Sequence, residues 1–374
     1  MTLADARAAL ERGNLQKADI LVRAALDQNP GDATALSLLE GIAARAGIGA
    51  MGRYPDARPR HLLIKAWGAG FWSDLDHVLG ALLLAELTGR IPVVRWGINS
   101  RYRDPDDDDA FANFFEPVSA ARFGDLAAAA SFFPAKWHRG NLAAEDLAKW
   151  QGPGSRAAAL DLLGRHEDVV VSDFHLGVAD LLPWIPRGHR LHGLSLAAIY
   201  RRIVTERIRL KAPIARAIDA QWTRHMAGRQ WLAVHVRGTD KIREAPALAQ
   251  VNRDYDAIIA QILRANEGLG IFLLTDQLSV LAAFRQRWGD RVAANDVRRA
   301  DATTGVHLDG AASSALGRQI ILDCWFAARC DVFLGNGMSN VSTGIRHLKD
   351  WPENRFFLMT QDALARRSLF LHDW

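Results

Sequence analysis

The heptapeptide His235-Val236-Arg237-Gly238-Thr239-Asp240-Lys241 follows the apolar run Trp231-Leu232-Ala233-Val234, so a buried strand ends in a burst of polar side chains. Open parallel α/β sheets bind ligands at the carboxyl ends of their strands, and an Arg flanked by Thr, Asp and Lys suits a diphosphate. Two further segments share the pattern: Thr275-Asp276-Gln277 follows Ile271-Phe272-Leu273-Leu274, and Gly335-Asn336-Gly337-Met338-Ser339-Asn340 follows Val332-Phe333-Leu334. If these strands are parallel neighbours, all three loops open on one edge. Arg237 would then grip phosphate oxygens through two parallel donors, while the glycine turn offers backbone N–H groups. A carboxylate such as Asp276 would serve another part of the ligand, accepting from the N1–H and 2-amino edge of a guanine. Arg237 and Asp240 alone would read as a structural ion pair; three loops in register favour a site.

These loops need a frame. Leu62-Leu63-Ile64 reads as a strand, Gly68-Ala69-Gly70 as a turn, Leu75 to Leu87 as a long apolar helix ended by Gly89, and Ile91-Pro92-Val93-Val94 as the next strand. That order is a βαβ unit. Further strands are expected at Val169-Val170-Val171, Trp231 to Val236, Ile271 to Leu274 and Val332 to Leu334. Helices are expected at about Leu196 to Met226, Tyr255 to Glu267 and Ile320 to Arg329. Alternation on both sides of residue ~195 predicts an α/β protein of two Rossmann-like lobes facing a cleft. The lobes would span 61–195 and 196–374, after a helical segment at 1–50 and a Gly/Pro-rich linker at 51–60. The small residues within 2–47 resemble a tetratricopeptide repeat, about one and a half copies where about three stand alone. Such a piece must lean on the body or on another copy, and a docking role for it is one expectation.

Composition excludes several classes. The net charge of +4 comes with Arg scattered through the chain rather than in a block, which argues against a nucleic acid partner. Two cysteines, Cys324 and Cys330, imply no disulfide framework and favour a reducing compartment. With neither a signal-like start nor a long apolar stretch, the expected location is cytoplasmic, with peripheral membrane association as an extension. The Asp106 to Asp109 run invites a metal reading; no strand directly precedes it, and a solvated turn is the expectation. His189 and His192 have no acidic or cysteine companion, so no zinc site is expected. Most of the tryptophans, Trp231 and Trp325 among them, sit in apolar elements and read as core.

The motifs resemble a known superfamily, that of α1,6-fucosyltransferases, protein O-fucosyltransferases and the nodulation-factor fucosyltransferase. The match is carried by His235 to Lys241, Leu274-Thr275-Asp276, Ile321 to Phe326 through Cys330-Asp331, Ser339-Asn340-Val341, and Gly70 to Leu79 followed by Thr88-Gly89-Arg90. It spans residues ~61 to ~350 in the right order. The resemblance implies a GT-B fold that binds GDP-fucose mainly through its C-terminal half, with inversion at the sugar carbon and no divalent metal or other cofactor. It implies that His235 and Asp276 contact guanine, Arg237 the β-phosphate and Ser339, beside Asn340 and Gly238, the diphosphate. Asp323 would brace the site, and Gly70, Ser73, Asp74 and His77 would face the cleft. The partners implied are a GDP-sugar and a glycan or glycoconjugate hydroxyl.

Three departures stand out. Gly238 sits where the α1,6 branch has a second Arg. Glu244 lies one residue closer to the motif than that branch's proposed base, and Trp72 replaces a glycine of the first turn. The expected catalytic groups are Arg237 for the leaving diphosphate, Lys241 as its assistant and Glu244 as acceptor base. Two alternatives remain at this level: another nucleotide-sugar on the same fold, or a non-catalytic nucleotide- or glycan-binding protein whose helical start docks a partner.

Overall fold

A computed structural model describes residues 2–146, 148–151, 155–238, 247–300 and 313–367, without side chains at 247–249. The strands are β1 His61–Lys65, β2 Ile91–Arg95, β3 Phe132–Phe133 and β4 Val169–Ser172 in one sheet, all parallel, in the order β2-β1-β4-β3. A second parallel sheet holds β5 Trp231–Val236, β6 Gly270–Thr275, β7 Val292–Ala293, β8 Val332–Gly335 and β9 Phe356–Leu358 in the order β7-β6-β5-β8-β9. The near-continuous apolar runs of β4, β5 and β8 are buried along their whole length, as a sheet covered on both faces requires. In the second sheet the chain runs outward from β5 to β7 on one side and from β8 to β9 on the other. The strand order therefore reverses between β5 and β8, where such sheets open a crevice.

Helices α1 Leu3–Glu11, α2 Leu15–Gln28 and α3 Ala33–Arg45 form within the segment expected to be helical. They share one apolar cluster with the first sheet's covering: Ala6, Val22 and Ile42 belong with Leu62, Leu83 and Leu163. Gln16 donates to Asp180 Oδ1 at 3.0 Å, and buried Asp19 is held by both Arg23 and Arg367. The segment thus leans on the body and is clasped by the far end of the described chain. The following stretch is also fastened: Tyr54 donates to Thr88 O at 2.6 Å, and buried Arg60 pairs with Asp168.

Helix α4, Phe71–Thr88, connects β1 to β2 and stops at Gly89, whose φ of 64° is the left-handed conformation a helix end favours. A Cβ on its Gly80 would lie 2.1 Å from Leu176 O, so the turn after β4 rests directly on the helix backbone. Short helices α5 Ala159–Leu163 and α6 Val178–Leu181 complete this lobe.

The long helix expected from Leu196 to Met226 is two helices, α7 Leu196–Arg207 and α8 Ala212–His225. Between them Leu210 bridges antiparallel to Phe115, and Pro213 opens α8. Proline lacks the N–H that a continuous helix needs there, while the apolar spacing runs on across the break and conceals it. α9 Ala247–Ala265, α10 Leu278–Trp288, α11 Ser314–Arg329 and α12 Asn340–His347 link the second set of strands, with α9 and α11 starting earlier than expected. α7 packs against both α4 and α12.

Candidate active site

His235 ends inside β5, not in the loop beyond it. Its ring is buried, and Nδ1 meets Ser342 Oγ of α12 at 2.7 Å across the β5–β8 junction. Ser342 Oγ also accepts the Asn336 N–H at 3.3 Å, an arrangement that favours Ser342 donating to Nδ1 and leaves the imidazole proton on Nε2. Burial, with Arg237 adding repulsion, lowers the His235 pKa to about 3, so the ring is neutral.

Arg237 follows at the strand's end. Its Nη1 lies 2.8 Å from Asp276 Oδ2, beyond β6, and the Gly238 N–H donates to Asp276 Oδ1 at 3.3 Å. Asn252 Nδ2 donates to the Arg237 carbonyl at 2.8 Å, so the backbone is pinned as well. Arg237 thus pairs with Asp276, and Asp240, its partner in the alternative structural reading, lies outside the described residues. A Cβ on Gly238 would fall 1.8 Å from Gln277 Oε1: the glutamine fills the volume that a side chain at 238 would take.

The turn after β8 spends its glycine-region donors internally. Asn336 N–H goes to Ser342, and Gly337 N–H goes to Thr360 Oγ1 at 2.8 Å. A Cβ on Gly337 would meet Gln361 O at 2.2 Å, which explains the glycine by packing rather than by ligand approach. The start of α12 borders the cleft instead, through Ser339 and Asn340. Asp323 projects from α11, accepts from Asn295 Nδ2 at 2.8 Å, and has its pKa raised to about 7 by burial.

These groups surround one cavity of about 370 Å³ between the lobes, within the range of nucleotide and small-molecule sites. Gly70 and Ser73 line it from the start of α4, with Trp67, Phe71, Trp72 and Tyr102. His235, Arg237, Asp276, Asp323, Ser339 and Asn340 line it from the other lobe. Trp72 is also the wedge between lobes. Its Nε1 donates to Cys324 Sγ at 2.9 Å, its ring stacks on Trp325 at 6.2 Å, and a Cβ on Gly344 would strike it at 2.3 Å. Asp104 adds a polar clasp by accepting the Ser314 N–H at 2.9 Å, capping α11 from the opposite lobe.

Two expected cleft residues lie elsewhere. Asp74 turns inward and accepts the N–H groups of Trp67, Gly68 and Ala69 at 3.1, 3.1 and 3.4 Å, with its pKa raised to about 7 by burial. It shapes the turn that lines the cavity. His77 is wholly buried between Ser172 O, 3.2 Å from Nε2, and the Leu176 N–H, which donates to Nδ1 at 3.1 Å. Lys241 and Glu244 lie outside the described residues. Thr275, Val297, Arg298 and Gln319 also line the cavity. Only Thr275 belonged to a motif; the others sit in a loop and on a helix face without chemical punctuation.

The Asp106 to Asp109 run is a turn: Asp109 accepts the Trp96 and Phe111 N–H groups at 2.8 and 3.0 Å, and Asp107 the Asp104 N–H at 3.1 Å. Among the described residues no cluster of His, Cys, Asp or Glu is arranged to hold a metal ion, and no helix is long and apolar enough to cross a membrane.

A scan against protein-family models finds no match, and neither does a search of curated proteins. Solved structures do match. A NodZ alpha-1,6-fucosyltransferase soaked with GDP-fucose aligns at a TM-score of 0.54 with 20% identity, over 78% of this chain and 93% of its own. The fucosyltransferase NodZ from Bradyrhizobium gives 0.53 and 22%, over 78% and 92%. The likeness identifies the fold class: a two-lobed α/β protein of the GT-B type, with its cavity between the lobes.

Proposed function

We propose that this chain is a glycosyltransferase that moves fucose from GDP-fucose to a hydroxyl of a glycan or glycoconjugate, with inversion and without a divalent metal. The observation that carries the reading is the meeting of Arg237, Asp276, Asp323 and the start of α12 around one interlobe cavity at the strand-order reversal. The neighbours soaked with GDP-fucose or co-crystallised with GDP support the choice of nucleotide.

Breaking a sugar–phosphate bond leaves negative charge on the departing diphosphate. Arg237, preset by Asp276, places a guanidinium where that charge grows, and the positive end of α12 adds to it beside Ser339. The neutral His235 carries an Nε2–H donor and is assigned, with Asp276, to the guanine. Asp276 reads guanine, since a carboxylate can accept from both the N1–H and the 2-amino group. The sugar carbon gains oxocarbenium character as the bond stretches. Lys241 assists the leaving group, and Glu244 takes the acceptor proton. The helical start, with its tetratricopeptide resemblance, is held as a partner-docking proposal.

Thermal-shift titration with GDP, GDP-fucose, UDP and UDP-sugars tests the nucleotide, because a ligand of the native state raises melting with occupancy. Stabilisation by the guanine compounds alone is expected; a response to UDP compounds alone overturns the guanine assignment. Donor hydrolysis measured against Arg237→Ala, with and without chelator, tests catalysis and metal independence. No turnover above the variant leaves a binding protein, and strict metal dependence removes the metal-free mechanism.

A further inference from the structure

Trp67, on the cavity wall, is continued outward by a second indole. Trp150 is 45% exposed, yet its ring lies 6.3 Å from Trp67 and 5.5 Å from Phe174. Two buried cations hold it. Lys149, 2% exposed, donates from Nζ to Trp67 O at 2.8 Å, and Arg156, 5% exposed, donates from Nε to Lys149 O at 2.6 Å. The Arg156 guanidinium lies 4.6 Å from the Phe174 ring centre.

A single exposed aromatic needs no explanation by itself. Here the ring adjoins a cavity, is fixed by two neighbours whose cations cost free energy to bury, and keeps nearly half its surface in water. A rigid, preset aromatic face of this kind loses little entropy on binding. The nearby charges select what it binds. Exposed indoles often attract cations, but Trp150 already has Lys149 Nζ at 5.3 Å and Arg156 Cζ at 5.7 Å from its ring centre, so another cation is repelled. The C–H face of a neutral sugar ring is not.

We propose that Trp150, with Trp67, is a stacking platform for a pyranose ring of the acceptor glycan, which it delivers to the interlobe cavity. The platform rests on the transferase reading above, and names the substrate class on the acceptor side of that site. A glycan bound here enters the cavity past Trp67, which shares its lining with Arg237 and Asp276.

The test uses the full chain saturated with GDP, titrated calorimetrically with cellotetraose, chitotetraose and mannotetraose. At least one tetrasaccharide should bind, and Trp150→Ala should weaken it roughly tenfold or more, a loss of about 1.4 kcal/mol. Trp150→Phe, which keeps a stacking face, should restore most of the affinity. The melting rise with GDP should be the same in the wild type and both variants, which also shows that the variants fold. Absence of binding by all three sugars to the wild type, or equal binding by Trp150→Ala, overturns the platform. If GDP fails to stabilise the wild type, the nucleotide-sugar reading falls separately, and the same titrations without nucleotide still judge the platform.

Discussion

The carboxyl edges of the two sheets use charge differently. At the first, polar groups are consumed in holding loops. Asp74 takes three backbone N–H groups, Lys65 donates to Leu142 O and Ala144 O at 2.7 and 2.6 Å, and Asp173 holds Lys136 at 2.8 Å and Trp137 Nε1 at 3.0 Å. At the second, Arg237, Asp276 and Asp323 border the cavity. The same topological device therefore serves as scaffold in one lobe and lines the interlobe cavity in the other. A charged residue at a strand end acquires a function only when its partners leave it facing the cleft.

The largest effect should come from the second edge. Arg237→Ala should lower sugar transfer or donor hydrolysis about 10²- to 10³-fold, the scale for removing one preset charge-stabilising donor, and should abolish most of the GDP-induced melting shift. An unchanged rate would remove the distinction between the edges. Next is Asp74→Ala, which should cost about 2–4 kcal/mol of stability by orphaning turn N–H groups, measured by denaturant unfolding. GDP should still raise the melting temperature of the folded fraction; loss of GDP binding at unchanged stability would place Asp74 among the ligand-facing groups.

A smaller effect concerns pH. Buried Asp323 has its pKa raised from 3.8 to about 7. The native chain thus keeps a proton over about pH 4 to 7 that the unfolded chain has released, so this group's contribution to stability falls as pH rises through that window. The slope is at most about 1.4 kcal/mol per pH unit for one proton. Asp323→Asn should flatten that part of the stability profile, and an identical profile in the variant would contradict the assignment. Smallest is Gly238→Ala. The three atoms nearest its Cβ all belong to the end of the Gln277 side chain, which can swing aside, so stability should change by under ~1 kcal/mol and GDP binding should persist.

Much of this was legible in the residues. Strand ends followed by Arg237, Asp276 and Ser339 were visible because apolar runs and polar punctuation are local signals, and all three loops line the cavity. α4 shows why the rest was not. It is buried almost all round, so no polar stripe marks which side faces the cleft. Gly70 and Ser73 reach the cavity, while Asp74 and His77 on the same helix turn into the protein. The two-helix break at residues 208–211 was masked by apolar spacing that continues through it, although Pro213 is the local signal of a new helix start. Trp72, read as a departure from a family pattern, is one of the contacts that join the lobes.

Composition and order of elements determined by themselves that this is a doubly layered α/β chain with parallel strands and a charged edge, since burial and turn chemistry are written in neighbouring residues. Tertiary structure alone decided which charged groups border the cavity. His235 meets Ser342, Trp72 meets Gly344, and Asp104 caps α11 over separations of 107, 272 and 210 residues, respectively, counted from their positions in the chain. Such pairings follow from how the lobes close on each other, and no local pattern of residues encodes them.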